Sequence, residues 1–179
     1  MFESLFDFDA DADEAVLRGA VEHFEHLKAA AAAAQARATE AWATKRHATE
    51  AAAGVSTNKR GRGLATEVAL ARHDAPVRGG RHLGLATALV REMPHTLAAL
   101  ESGVLNEWRA TLIVKESACL SVEHRRQLDA ELCRDTTQLE GWGDRRIAAE
   151  ARKITVRLDV QAVVERNAMA AKDRCVWIR

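Results

Sequence analysis

Apolar residues recur at three- and four-residue intervals along almost the whole chain, the spacing of helices that bury one face, and only the last six residues alternate as a strand does. From Asp13 to Ala53 no Pro interrupts the pattern and no Gly follows Gly19, while the best helix-forming residue fills Ala29 to Ala34. The stretch predicts a single helix of about 40 residues, about 60 Å long. Within it Ala20, Phe24, Leu27, Ala31, Ala34, Ala38 and Ala41 are spaced as a heptad seam. Such small knobs allow close approach of another helix, from this chain or from a second copy.

Turn residues and bases mix in 54–63 (GVSTNKRGRG), which reads as a basic linker. Short helices follow it. Leu64 to Arg72 is the first, Pro76 opens a second that runs to about Glu92, and Pro94 opens a third to Glu101, stopped by Gly103. Asn106, Ser121, Asp144 and Asp159 stand where N-caps belong, for helices reaching Cys119, Arg134, Arg157 and Lys172. The expected fold is all-α: a long Ala-rich N-terminal helix over 13–53, the linker, and a bundle of six or seven short helices over 64–173. Residues 174–179 (RCVWIR) read as the start of a strand with no ladder partner, as though a further segment should follow. At the other end, residues 1–12 read as a flexible acidic lead-in whose Phe2, Leu5, Phe6 and Phe8 are free to dock on another surface.

Composition agrees with helices, since Ala fills 36 of 179 positions while Tyr is absent and Pro occurs twice. Charge narrows the choice of partner. Twenty-six Lys+Arg balance 26 Asp+Glu, so any site for a polyanion has to be a local patch. No apolar run approaches the roughly 18 residues of a membrane span, and the acidic N-terminus is the opposite of a signal peptide, so a soluble, cytoplasmic protein is expected. Cys119, Cys133 and Cys175 form no Cys-x-x-Cys pair and suggest neither a disulfide framework nor a zinc site.

The local patch lies between Lys59 and Arg91, where seven bases face only Glu67 and Asp74, a balance of 7 − 2 = +5. A short helix ending near Arg72, a turn of His73, Asp74 and Ala75, and a helix from Pro76 have helix-turn-helix proportions, with Ala69 where close packing needs a small residue. Lys59, Arg60, Arg62, Arg72, Arg78, Arg81 and His82 are the candidate nucleic-acid contacts, the last three near the start of the helix that would read the major groove. Gly79 and His82 fall where apolar residues are wanted, so a plain basic surface between two bundle helices is the competing reading. A second cluster, Arg145, Arg146, Arg152, Lys153 and Arg157, fits a solvated helix face.

Other chemistry is poorly provided for. His23 and His26 share a helix face but suggest no third metal ligand, and the Gly-rich strings match no phosphate-binding loop. Ser117 and Cys119 have no His placed beside them, and Cys119 and Cys133 read as small core residues. Trp108, Leu112 and Ile113 form a stripe that continues to Cys119 and Leu120 and is expected in the core.

Several ordered segments, Glu67-Val68-Ala69-Leu70-Ala71, Leu83-Gly84-Leu85-Ala86-Thr87-Ala88-Leu89, Met93-Pro94-His95 through Gly103 and above all Glu107-Trp108-Arg109-Ala110-Thr111-Leu112, resemble the actinobacterial 13E12 repeat family, whose shared region is catalogued as domain of unknown function 222. The similarity continues through Ala118-Cys119-Leu120-Ser121, Asp129-Ala130-Glu131-Leu132 and Arg157-Leu158-Asp159. The resemblance implies a helical region that in relatives commonly precedes an HNH nuclease module and is linked to DNA transactions. It carries over no catalytic residues, and no HNH motif follows, so a truncated, non-catalytic member is expected. The expectations are therefore a DNA-associated helical module without cofactor or metal or, alternatively, a helical interaction or homo-oligomerisation scaffold built on the N-terminal helix.

Overall fold

The computed structural model describes residues 7–172 of the chain. The expected strand at 174–179 and the docking of Phe2, Leu5 and Phe6 lie outside the described residues. Among those residues the fold is all-α, with eight α-helices and no strand. No helix among them is long and apolar enough to cross a membrane.

Helix α1 runs Glu14–Ala52, where an uninterrupted run of strong helix formers begins behind Asp13, whose carboxylate accepts from the Val16 N–H at 3.0 Å. Gly54, at φ +76°, follows its last turn. The chain then makes a 3₁₀ turn at Thr57–Lys59 and enters α2, Leu64–Ala71. A second 3₁₀ turn, Pro76–Arg78, leads straight into α3, Gly79–Thr87, and a π-helical turn extends it over Ala88–Glu92. Next come α4 (Pro94–Glu101), α5 (Glu107–Glu116), α6 (Val122–Cys133), α7 (Asp144–Leu158) and α8 (Val160–Lys172).

The expected caps at Asn106 and Ser121 accept from the N–H groups of Arg109 and His124, and Asp159 accepts from Ala162 at 2.9 Å. Asp144 differs from expectation, because Gly143 takes the cap position and Asp144 is the first helical residue. There its charge still faces the positive end of the helix dipole. Helix α5 stops at Glu116, short of the expected Cys119, where the Ser117 hydroxyl turns back to the Val114 carbonyl.

Helix α4 has no side-chain cap of its own. The fully buried Asp129 of α6 does the work instead, accepting from the N–H groups of His95 and Thr96 at 2.8 and 2.7 Å and from the Thr96 hydroxyl at 2.6 Å. A cap supplied across 33 residues of sequence locks α4 to α6.

Three apolar clusters hold the helices together. The largest joins α4 to α7 through Met93, Leu105, Ile113, Leu128, Leu132 and Ile147. A second seats α1 on α3, α4 and α5, with Ala29, Ala32, Ala33 and Ala36 against Leu85, Leu89, Leu97 and Leu100. The third packs Ala43 of α1 on Leu64 and Val68 of α2.

The buried face of α1 is therefore not the expected seam, since Ala31, Ala34, Ala38 and Ala41 are exposed. Alanine is so frequent in this helix that two stripes read alike. The choice falls on the stripe containing Glu40, which is only 5% exposed and is satisfied by the Thr87 hydroxyl at 2.8 Å and by Arg91. Periodicity rejects a stripe with a carboxylate in it, whereas a guanidinium and a hydroxyl on a facing helix make that burial tolerable. The π turn carrying Arg91 also carries Glu92, which pairs with Arg125 of α6, so the turn ties α1 and α6 to one short segment.

Candidate nucleic-acid interface

Helices α2 and α3 pack closely together where Gly79 meets the backbone of Ala65. A Cβ added at Gly79 would lie 1.8 Å from the Ala65 carbonyl oxygen and 2.4 Å from its carbon, so no larger residue fits while the helices stay in place. The residue expected to weaken the unit is thus what lets it pack, together with the fully buried Ala69. The turn between the helices reverses at His73, the one described non-glycine residue with positive φ, at +54°. The expected turn of His73, Asp74 and Ala75 leads into the 3₁₀ turn at Pro76.

With Gly79, Leu85 and Ala86 facing inward, the outer face of this unit presents Val77 (89% exposed), Arg78, Gly80, Arg81 and Gly84. Because Gly79 touches Ala65, the start of α3 lies beside the start of α2, and the linker cations just before Leu64 come with it.

The candidate contacts separate into two groups. Arg72 is half-buried and spends its charge on Glu107 of α5 at 2.6 Å, and the Arg60 guanidinium donates to the Val55 carbonyl at 2.8 Å. His82 is mostly covered, with its Nε2 2.8 Å from Asp74. These three are structural in placement. Arg78 is exposed and only loosely paired, at 3.3 Å from the same Asp74. Lys59, Arg62 and Arg81 are exposed and have no acidic partner within 4 Å among the described residues. The His82 hydrogen bond, the Ala75 N–H and the nearby Arg78 hold the Asp74 carboxyl below its ordinary range, so it stays ionised and pins the turn.

Beside α3 lies a groove of about 640 Å³ that sequence reasoning did not find. Trp108 of α5, expected in the core, stands instead at its wall, 56% exposed. Two of the four α3 residues that line the groove with Trp108, Gly80 and Gly84, have no side chain, and a Cβ at either would meet nothing within 4 Å, so this part of the wall leaves the indole uncovered. Leu112 and Cys119 on the same stripe are half-buried, while Ile113 and Leu120 reach the core as expected. Arg81, Lys115 and Arg125 line the groove and no acid does. The signal was present in the sequence as two glycines at i and i+4 of one helix, but their partner came from a helix remote in sequence.

The remaining candidates stay apart from this face. On α7, Arg145, Arg146, Arg152 and Lys153 are exposed, with Arg146 stacked 4.3 Å over Trp142 and Arg157 paired to Glu131. His26 lies against Gly103, and His23 leans on Phe24, which also meets Phe8 edge-on at 6.2 Å. No three metal-ligating side chains gather among the described residues. The Cys133 thiol is buried beside the Thr96 hydroxyl, and burial pushes it up to about 12. Cys119 is half-buried. Comparison with known proteins adds no identity: no family model, no curated protein and no solved structure matches the chain.

Proposed function

We propose that this chain is a non-catalytic, DNA-associated helical module that holds duplex phosphates on the outer face of the α2–α3 unit, and that it is a member of the 13E12 repeat family. The observation that carries the reading is the burial pattern of 76–87, which points Gly79 inward and leaves Arg78 and Arg81 outward beside the linker cations. A helix held by its inner face, with cations on its outer one, is what groove insertion and phosphate contact require.

Four cations, Lys59, Arg62, Arg78 and Arg81, make up the outward set. Releasing the counterions of about four phosphates gives a slope near −3.6 in log affinity against log salt on a duplex. Titration of a random-sequence duplex across a salt series tests this. Arg78→Glu with Arg81→Glu is expected to weaken binding and flatten the slope by about two; unchanged binding sinks the reading.

A helical interaction scaffold is favoured by a separate observation, the exposed stripe of Ala31, Ala34, Ala38 and Ala41 on α1, with the half-buried Leu27 at its end. In that reading a second copy covers the stripe, and Leu27→Asp with Ala34→Asp converts a dimer into a monomer. A wild-type protein that stays monomeric at high concentration removes it.

A further inference from the structure

We infer that the groove between α3 and α5 is a binding site for an unstacked nucleotide of single-stranded nucleic acid, its base against Trp108 and its phosphates on Arg81 and Lys115. The inference deepens the DNA reading, on which its choice of ligand rests.

The glycines come first. Gly80 and Gly84 are helical, have ordinary negative φ, and would meet nothing within 4 Å if given a Cβ. Neither backbone conformation nor packing calls for glycine there, and each weakens α3 relative to alanine. Both line the groove together with Trp108, and the absence of their side chains leaves that stretch of its wall open.

Shape and charge then select the occupant. The volume suits a small flat ligand rather than a helix. Trp108 is more than half exposed, and on an exposed indole any base can stack. Arg125 is engaged by Glu92, whereas Arg81 and Lys115 have no acid within 4 Å among the described residues. An aromatic wall, an open floor and two available cations match a flat ring joined to an anion. Arg81 belongs to both this groove and the outer face of α3, so a strand leaving a bound duplex passes directly into it.

The test compares short oligothymidylate, thymidine monophosphate, inorganic phosphate and a blunt duplex, each titrated into wild type, Trp108→Ala, Gly84→Leu and Arg78→Glu, with Trp fluorescence as a second readout. Thermal unfolding of each variant controls for folding. The expected result is quenching by oligothymidylate that is absent in Trp108→Ala, and affinity for it about tenfold weaker or worse in Trp108→Ala and Gly84→Leu. Duplex affinity is expected to depend on Arg78 and to be unmoved by Trp108→Ala.

Oligothymidylate bound equally well by Gly84→Leu overturns the groove assignment even if Arg78-dependent duplex binding persists. Groove-dependent binding of oligothymidylate with no duplex binding upholds the groove and removes the duplex reading. Thymidine monophosphate bound as tightly as the oligomer overturns the assignment to a strand, and phosphate alone binding equally well removes the role of the base.

Discussion

Replacing Gly79 by alanine adds a methyl group 1.8 Å from the Ala65 carbonyl oxygen, where the usual closest carbon–oxygen approach is about 3.3 Å. The obstacle is backbone on both sides, so relief requires α2 and α3 to part by about 1.5 Å. That separation loosens Leu64 and Val68, which are almost wholly buried against Ala43. Overpacking of this kind costs about 1–3 kcal/mol, and a backbone obstacle belongs at the upper end. At Gly80, one position on, the same methyl group meets nothing within 4 Å and is expected to stabilise α3 by about 0.5–1 kcal/mol.

Two identical substitutions at adjacent positions therefore differ by about 3 kcal/mol. For a chain of this size the difference corresponds to about 6–12 °C in Tm. Thermal unfolding followed by far-UV circular dichroism, with urea titration for the free energies, reads it directly. Gly79→Ala within 0.5 kcal/mol or so of Gly80→Ala would falsify the close-packed α2–α3 geometry, and with it the placement of the outward cations.

Other expectations follow from the same interior. Asp129→Ala strands two backbone donors at the start of α4 and is expected to cost about 2–4 kcal/mol in urea unfolding; a loss below about 0.5 kcal/mol would mean that α4 is not capped this way. Cys133, with its thiol pushed up to about 12, should resist maleimide at neutral pH and label only at the rate of unfolding when Cys119 and Cys175 are replaced by Ser. Arg46 holds Glu67, and Arg37 holds Glu101, below the ordinary carboxyl value of 4.5, and the His82 hydrogen bond holds Asp74 below its own ordinary value of 3.8. Because the folded values are depressed, their contribution to stability is complete above about pH 4.5 and is lost as pH falls through the folded values. Glu67→Gln should remove part of the acid-side decline in Tm; an unchanged profile contradicts the pairing.

Element positions in this protein were legible in the amino-acid order because helices announce themselves locally. Asn106, Ser121 and Asp159 cap where short polar side chains precede apolar periodicity, and Pro94 opens α4 where its fixed φ and missing N–H cost nothing. The cationic excess between Lys59 and Arg91 was equally plain. What each cation does was not, because Arg72 is neutralised by Glu107, 35 residues away, and Arg91 by Glu40, 51 residues away.

The same limit explains the two misplaced faces. An alanine-rich helix offers equivalent stripes, and the decision between them on α1 came from Thr87 and Arg91 on facing elements, which make a buried Glu40 acceptable. Trp108 reads as core from its hydrophobic spacing, yet whether a side chain is covered depends on what the neighbouring helices supply, and the groove it lines is bordered on α3 partly by Gly80 and Gly84, which supply no side chain. Local sequence thus determined which segments are helical, through backbone hydrogen bonding and propensity that act over a few residues. Tertiary packing alone decided which helix faces meet, because burial and charge pairing are properties of two surfaces brought together.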